Sequence, residues 1–170
     1  MERSQLWMRL EPVIEVATPA MPEGYALRTF RPGDEAAWIA LLNTGFDPWD
    51  EERLRRVLAR EQPRLPLEGI FFITRDNRMA GGACLFLHQI DGRTIGELGW
   101  VVVDPAHQGH RLGLLACRAA LGFAFQQGAR SVYLRTEDSR AAAIRTYLRL
   151  GFEPELRDAT HPERWCALLA

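Results

Sequence analysis

The stretch VVVDPAHQGHRLG, residues 101–113, constrains the fold of this chain more than any other part of its sequence. Its three β-branched residues predict a buried strand. That strand must end at Asp104, because Pro105 cannot donate to a sheet and disfavours helix in the residue before it. An apolar stretch from about Arg111 to Gln127 then predicts a long helix. A strand that passes through a glycine-containing loop into a helix is typical of α/β folds.

The start of the predicted helix has the features of an anion site. The first backbone N–H groups of a helix have no intrahelical partner, and the helix dipole places partial positive charge there. Gly109 and Gly113 let a ligand approach the backbone without a Cβ in the way. We therefore expect residues 109–113 to bind a phosphate. The alternative is a plain strand-to-helix connection that uses glycine for chain reversal, and both interpretations fit this stretch taken alone.

Composition is that of an ordinary globular domain. The 170 residues are 47% hydrophobic and 25% charged, with a formal net charge of -1, so bulk charge attracts the chain neither to nucleic acid nor to a membrane. The three cysteines lack both a CxxC pair and a histidine at ligand spacing, which predicts a cytoplasmic protein without a metal site. The N-terminus does not resemble a signal peptide and no apolar run is long enough to span a bilayer, so we expect neither secretion nor membrane insertion.

Hydrophobic periodicity predicts a single mixed domain over residues 24–170. Residues 1–23 contain three prolines and are expected to form an extended arm that packs along this domain. A strand is predicted from Tyr25, followed by two short helices, the second of which has Asp50 as its N-cap. Three strand-like segments joined by hairpin-length turns then predict an antiparallel meander: GIFFITR, MAGGACLFLHQI and TIGELGWVVV.

The last third of the chain predicts the rest of the sheet. SVYLRTE has the pattern of a strand, and the helix that follows it ends at Gly151. For the final stretch, THPERWCALLA, a closing strand and a short helix are both open, and Pro162 with Glu163 in a first turn favours the helix. We expect an α/β (α+β) fold with a mixed central sheet of about six or seven strands, mainly antiparallel in its N-terminal half and flanked by about four helices.

Two motifs resemble the GNAT acetyltransferase superfamily. VVVDPAHQGHRLG is similar to motif A of that family, in which Gln or Arg is followed after two residues by Gly, any residue, and Gly or Ala. Gln108 and Gly113 are in register, and Arg111 stands where the central glycine is usual. AAIRTYLRLGF, residues 142–152, is similar to motif B, a helix with a late tyrosine that ends in Gly-Phe. Two motifs in the family's order are more specific than either alone.

The resemblance implies an acetyl-CoA site. The strand before the loop would offer backbone groups to the pantetheine arm in the manner of an added strand, and the diphosphate would lie on the loop amides. Arg111 needs no positive φ in a helical conformation, and its guanidinium is available to a phosphate oxygen. Arg140 stands where the family often has asparagine, so that side-chain contact is not implied. The residues expected to bind acetyl-CoA are Val101, Val102, Val103, Gln108, Gly109, His110, Arg111, Leu112 and Gly113.

Acetyl transfer to an amine requires a proton acceptor for the amine and a proton donor for the departing thiolate. Glu97 lies on the strand that enters motif A, on the face that alternation assigns to Gly99 and Val101, and we predict that it is the general base. The alternative is an exposed strand residue. Tyr147 matches the motif B tyrosine, and we predict that it is the general acid; the alternative is a ring packed on the sheet. A backbone N–H at the strand break is expected to stabilise the oxyanion.

The predicted function is N-acetyl transfer from acetyl-CoA to a primary amine of a small molecule or peptide, by direct attack in a ternary complex. A non-catalytic acyl-CoA-binding module and a nucleotide-phosphate-binding protein are open alternatives, as is a homodimer. His107 and His110 have no carboxylate or cysteine nearby in sequence and are expected to be polar loop residues. Trp38, Phe46 and Trp49 are expected in the core, with an acceptor pocket as the alternative.

Overall fold

A computed structural model describes residues 4–17 and 19–169 of the chain. The described strands are β1 Leu6–Leu10, β2 Tyr25–Thr29, β3 Ile70–Arg75, β4 Arg78–Ile90, β5 Arg93–Val103, β6 Ser131–Thr136 and β7 Glu153–Glu155. The described helices are α1 Glu35–Leu42, α2 Glu51–Leu58, α3 Leu112–Gln126, α4 Ala141–Arg149 and α5 His161–Leu169. None of these helices combines the length and the apolar character that crossing a bilayer requires.

The seven strands form one mixed sheet in the order β2-β3-β4-β5-β6-β1-β7. Neighbouring strands are antiparallel except β5 and β6, which run parallel where residues 95–98 pair with residues 131–134. The expected mixed sheet with an antiparallel meander is therefore confirmed. The described residues contain one helix more than expected, because the final stretch forms α5, as Pro162 and Glu163 favoured.

Residues 6–10, which the sequence analysis assigned to an arm outside the domain, form a strand inside the sheet. β1 pairs antiparallel with β6 on one side and with β7 on the other. Leu6 and Met8 are completely buried, so the strand adds two apolar side chains to the core at strand spacing. The prolines that suggested an arm lie beyond the end of β1, at Pro12, Pro19 and Pro22.

Each face of the sheet has its own apolar cluster. On the first, here called the α3 face, α3 packs across β3, β4 and β5 and buries residues such as Leu112, Ala116 and Ala120. On the second, the α1–α2 face, the two short helices cover the other side of the same strands. Trp38 is 1% exposed in this second cluster, so it is a core residue.

A β-bulge interrupts β5. Between Gly99 and Val102, β5 has two residues, Trp100 and Val101, opposite the single residue Ala83 of β4. Trp100 has a φ of 46°, a conformation that residues with a Cβ rarely adopt. Its ring packs edge-on against several aromatic side chains of the α1–α2 face: Trp38, Trp49 and Phe86.

The bulge changes which β5 residues share a face. Glu97 pairs with Phe86 of the α1–α2 face, and simple alternation placed Val101 on that same face. This expectation is wrong, because the extra residue reverses the alternation. Beyond the bulge Val102 belongs to the α1–α2 face, while Val101 and Val103 pack against the α3 face.

Candidate active site

The ladder between β5 and β6 ends at Leu98 and Leu134, and two cavities meet beyond its end. The first, here called the large pocket, has a volume of about 590 Å³. The second, the loop groove, has a volume of about 380 Å³ and lies beside the start of α3. Val101 and Tyr147 line both cavities. Ligands held in the two cavities would therefore meet at these two residues.

The loop groove gathers almost all the residues expected to bind acetyl-CoA. Its lining includes Val101, Val102, Val103, Gln108, Gly109, Arg111, Leu112 and Gly113. His110 lies outside this lining, and its ring packs against Tyr25 instead, with the ring centroids 5.4 Å apart. Residues of α4 form the facing wall, among them Ala143 and Thr146. Motifs A and B, distant in sequence, thus form the two sides of one groove.

The amides at the start of α3 are available to a ligand in the groove. The first amide bonded back into the helix turn is that of Leu115, which donates to the Arg111 carbonyl at 3.1 Å. The amides of residues 112–114 precede this bond and have no partner within the helix. Unpaired N–H donors at the positive end of a fifteen-residue helix suit a diphosphate, so this surface fits the group that the resemblance implies.

Arg111 differs from its expected conformation. It has φ 59° and ψ 20°, in the left-handed region, whereas the sequence analysis assumed a helical backbone there. The expectation is wrong because the chain must turn sharply between the loop and α3. A left-handed conformation costs a residue with a Cβ about 1–2 kcal/mol, which explains why glycine is usual at this position of motif A. Arg111 nevertheless remains part of the groove lining.

Glu97 lies in the large pocket as a nearly buried carboxylate, 8% exposed. Its Oε2 accepts a hydrogen bond from the Tyr133 hydroxyl at 2.8 Å and lies 2.8 Å from His88 Nε2. Its Oε1 accepts from Arg135 Nη2 at 2.7 Å. Burial raises the pKa of this carboxyl, but the hydrogen bonds from His88, Arg135 and Tyr133 outweigh that effect and hold the pKa below its usual value. Glu97 is therefore ionised at neutral pH.

His88, Tyr133 and Glu97 form a closed triangle of polar atoms. The Tyr133 hydroxyl is also 2.9 Å from His88 Nε2, so all three atoms are within hydrogen-bond distance of one another. An ionised carboxylate only accepts, and a phenol has a single proton to donate. His88 Nε2 must therefore carry a hydrogen, since otherwise its lone pair would face the carboxylate. The two donors fix the orientation of the Glu97 carboxylate.

Tyr147 lies where the two cavities meet. The residue is 7% exposed, and its ring is 6.1 Å from that of Phe152 between centroids. Burial raises the pKa of its hydroxyl above the ordinary value, the neighbouring Cys117 adds to this, and Arg140 opposes it. The hydroxyl is therefore protonated at neutral pH. The two interpretations of this tyrosine are compatible, because the ring is packed while the residue still lines both cavities.

The loop between α1 and α2 forms another wall of the large pocket and includes Phe46 and Trp49. Asn43 holds this loop, since its Oδ1 accepts from the Trp49 amide at 2.6 Å and its Nδ2 donates to the Trp49 carbonyl at 3.1 Å. Arg140, just before α4, donates to the Gly45 carbonyl at 3.0 Å and lies over the Phe46 ring. Phe46 and Trp49 thus serve both the core and the pocket.

His107 and His110 support the loop between β5 and α3. His107 Nδ1 is 3.0 Å from the Tyr25 hydroxyl, and His110 Nδ1 donates to the Gln108 carbonyl at 3.0 Å. In the part of the chain that the structure describes, no group of three or more His, Cys, Asp or Glu residues is placed to hold a metal ion.

Comparison with known proteins decides the family. The family model "Acetyltransferase (GNAT) family" matches residues 35–152, which is most of the chain. The chain belongs to the GNAT acetyltransferase family. The resemblance found in motifs A and B is thereby confirmed, and members of this family use acetyl-CoA.

Curated relatives of this GNAT chain include two proteins named mycothiol acetyltransferase. The protein from Thermobispora bispora is 34% identical over 158 residues, which cover 86% of this chain and 53% of that protein. The protein from Nocardia farcinica is 33% identical over 160 residues, which cover 86% of this chain and 52% of that protein. The GNAT chain thus spans about half the length of the curated relatives that it matches.

Solved structures share the fold. The crystal structure of a GCN5-related N-acetyltransferase from Sphaerobacter thermophilus matches with a TM-score of 0.73 at 25% identity, over 90% of this chain and 50% of that one. The ribosomal-protein-S18-alanine N-acetyltransferase from Escherichia coli matches with a TM-score of 0.64 at 23% identity, over 78% of this chain and 79% of that one. The second likeness supports the fold alone.

Three residues at the site of this GNAT chain lie outside the motifs that predicted it: His88, Tyr133 and Arg135. None of the three is assigned a role at the site from sequence. Their link to Glu97 depends on the register of β4 and β6 against β5, in which Tyr133 pairs with Glu97 across the parallel ladder. No local motif carries that register, so only a predicted strand pairing would have identified them.

Proposed function

We propose that this chain is an N-acetyltransferase that transfers the acetyl group of acetyl-CoA to a primary amine of a small molecule or peptide. The observation that carries the proposal is the meeting of the loop groove and the large pocket at Val101 and Tyr147. A thioester in the groove and an amine in the pocket would meet there, so the amine can attack the thioester directly in a ternary complex.

The cofactor would lie along the groove. The amides of residues 109–113 would hold the diphosphate, and the backbone of Val101, Val102 and Val103 would bond the pantetheine arm as an added strand. The support for this placement is the set of free amides before Leu115 and the position of β5 along the groove.

Direct transfer is supported by the state of the cysteines. Cys84 and Cys117 are buried, and burial raises the pKa of the Cys117 thiol to about 12 and that of Cys84 well above its ordinary value. A thiol must lose its proton to act as a nucleophile. Both residues are therefore unsuited to carry an acetyl-enzyme intermediate. The third cysteine, Cys166 of α5, is exposed and lines neither cavity, so the amine itself is the proposed nucleophile.

Glu97 is the proposed proton acceptor and Tyr147 the proposed donor. As the amine nitrogen bonds to the thioester carbon, its proton passes to the Glu97 carboxylate directly or through water. As the carbon–sulfur bond breaks, the thiolate takes the Tyr147 hydroxyl proton. A backbone N–H of the bulged strand stabilises the oxyanion between these events. Three donors occupy Glu97, out of about four acceptor positions of a carboxylate, so one position is left for the incoming proton.

The test is release of free thiol from acetyl-CoA in the presence of amines. The panel contains amino acids, polyamines, aminoglycosides, peptides and, because of the relatives' name, a mycothiol-related amine. At least one amine is expected to elicit thiol release. Tyr147→Phe and Glu97→Gln are each expected to lower kcat by at least about 100-fold, with acetyl-CoA binding by calorimetry unchanged.

Two results would overturn the proposal. If acetyl-CoA binds but no amine elicits thiol, the chain is a non-catalytic acyl-CoA-binding module. If ATP or NAD binds more tightly than CoA in a competition experiment, the loop serves another nucleotide.

A further inference from the structure

We propose that the acceptor carries an anionic group, a carboxylate or phosphate, close to its amine, and that Arg135 binds that anion. This inference rests on the proposed N-acetyl transfer and names its substrate class. Its starting point is the Arg135 guanidinium, which is anchored on one side and open on the other.

Three strands hold Arg135 in position. Its Nη2 donates to Glu97 Oε1 of β5 at 2.7 Å, and its guanidinium lies 5.7 Å from the ring centroid of Trp7 in β1. Trp7 in turn stacks on Tyr133 of β6 with the ring centroids 5.2 Å apart. An arginine fixed in this way loses little side-chain entropy when it binds a ligand.

Most of the hydrogen-bonding capacity of Arg135 is unused. A guanidinium has five N–H donors in a planar fork that matches carboxylate and phosphate oxygens. In residues 4–17 and 19–169, only Nη2 of Arg135 has a protein acceptor. The side chain is 47% exposed, whereas that of its partner Glu97 is 10% exposed, and Arg135 lines the large pocket. The open side of the fork is therefore accessible to an acceptor in that pocket.

Two further arginines of the large pocket are already engaged. Arg53 donates to the Pro48 carbonyl at 2.9 Å and lies over the Trp49 ring. Arg140 donates to the Gly45 carbonyl at 3.0 Å. Both are therefore tied to the wall of the pocket by backbone carbonyls, whereas Arg135 is bonded to Glu97, the proposed base.

The remaining charges of the pocket suit a molecule with both signs. Glu97 is bonded to Arg135, and Glu137 lies 3.7 Å from Arg140. Among the described residues, the lining charges without a polar side-chain partner are Asp47, Arg53 and Arg60. An acceptor with an ammonium and an anion would find charges complementary to both, whereas a simple amine would bring no hydrogen-bond acceptor to the unused donors of Arg135.

The contact between Arg135 and Glu97 limits the distance between the two groups of the acceptor, since Arg135 Nη2 lies 2.7 Å from Glu97 Oε1. Tyr133 pairs with Glu97, and Arg135 is the next residue of β6 on the same face, about 7 Å further along the strand. If the amine lies near Glu97 and Tyr147, the anion that Arg135 binds is a few bonds away. An amino acid has this arrangement, and so does a small amino-sugar phosphate.

The experiment compares matched acceptors that differ only in the anion. The pairs are L-serine with ethanolamine, L-alanine with ethylamine, and glucosamine 6-phosphate with glucosamine. For each pair the kcat/KM ratio, anionic over neutral, is measured in the wild type and in Arg135→Gln. At least one pair is expected to show a wild-type preference of about tenfold or more for the anionic member, reduced at least about fivefold in Arg135→Gln.

Arg9→Gln is the matched control. Arg9 donates to Glu155 at 2.8 Å and is 39% exposed, and it lies on β1 beside Tyr133, but it does not line the large pocket. Its substitution removes another arginine–glutamate ion pair of the sheet and should leave the ratios unchanged. Which pairs respond distinguishes a carboxylate from a phosphate.

The outcomes separate this inference from the proposed function. Arg135→Gln also disturbs Glu97, but that loss slows both members of a pair and cancels in the ratio. If the wild type has no preference for the anionic members, or if Arg135→Gln slows both members equally, the inference is overturned and the N-acetyltransferase proposal stands. If no amine is acetylated at all, both are overturned.

Discussion

The Tyr25 hydroxyl and His107 Nδ1 are 3.0 Å apart, although 82 residues separate them in sequence. Tyr25 begins the edge strand β2, and its ring also packs against His110. The guanidinium of Arg75 lies 5.3 Å from the centroid of the same ring. An edge strand of the sheet thus supports the loop that we propose binds the diphosphate.

Tyr25→Phe is expected to weaken acetyl-CoA binding without affecting the chemical step. One hydrogen bond contributes about 0.5–1.5 kcal/mol net, so the Kd should rise by roughly two- to tenfold, with kcat at saturating acetyl-CoA unchanged. Titration calorimetry and steady-state kinetics measure the two quantities. His107→Ala should have a similar effect, and the double variant should add little to either. A fall in kcat with an unchanged Kd would contradict this role.

Arg111→Gly is expected to stabilise the free protein. Arg111 has a φ of 59°, and glycine relieves the cost of about 1–2 kcal/mol that a left-handed conformation imposes on a residue with a Cβ. Urea denaturation should show a higher midpoint with an unchanged slope. The control is Arg55→Gly, the same substitution at an exposed helical position of α2, which should destabilise by about 1 kcal/mol. Equal losses in both variants would count against the left-handed conformation.

Gly113→Ala is expected to stabilise the free protein and to weaken acetyl-CoA binding. A Cβ at Gly113 would be 3.5 Å from Val103 and 3.9 Å from Val101, which is ordinary contact, so the protein itself accommodates it. Alanine in a helix is more stable than glycine by about 0.5–1 kcal/mol, and thermal unfolding should show a higher Tm. The added methyl group lies beside the proposed diphosphate site, so acetyl-CoA should bind at least about tenfold more weakly. Unchanged affinity would place the diphosphate elsewhere.

The Glu97 network is expected to make stability depend on acidic pH. The folded-state pKa of Glu97 is lowered, so its contribution is fully present above the ordinary glutamate pKa of about 4.3 and is lost as the pH falls through the folded value. Glu97→Gln should therefore be less stable than the wild type at neutral pH, and the difference in free energy of unfolding should shrink towards low pH.

Glu155→Gln is the comparison for this prediction. Burial raises the pKa of Glu155, but hydrogen bonds from Arg9 and Arg157 hold it below the ordinary value. It should show a pH trend of the same sign while acetyl transfer is retained, because Glu155 does not line the large pocket. A pH-independent difference between the wild type and Glu97→Gln would mean that the carboxylate is not held by its three donors.

Much of the fold could be predicted from local sequence signals. Pro105 ended β5, glycine marked the end of α4, and Pro162 with Glu163 marked the start of α5, because each of these signals acts on its own backbone. The position of β1 was not predicted, because Leu6 and Met8 find their partners in β6 about 130 residues away. Only the pairing shows that this short segment is a strand of the sheet.

At the candidate site, too, local signals were predictable from sequence and long-range contacts were not. Tyr147 was predicted from motif B and Glu97 from its place on the strand that enters motif A, and both line one pocket. The donors that determine the state of Glu97 come from two neighbouring strands. Trp100 carried no signal that β5 contains an extra residue. Trp100 packs against aromatic rings that are distant in sequence, and local sequence does not show these contacts. Strict alternation along β5 therefore gave the wrong face for the residues after Trp100.

The extra residue in β5 makes the length of this strand as important as its composition. With Trp100 in place, one strand presents a carboxylate to one side of the sheet and, four residues later, an aliphatic wall to the other. Inserting one residue between Glu97 and Val101 with the bulge kept would shift the alternation and turn the wall of the groove away from α3, and deleting one would remove the bulge and with it the aromatic packing of Trp100. In a redesign or a library, β5 should therefore tolerate many exchanges of side chain and very few insertions or deletions.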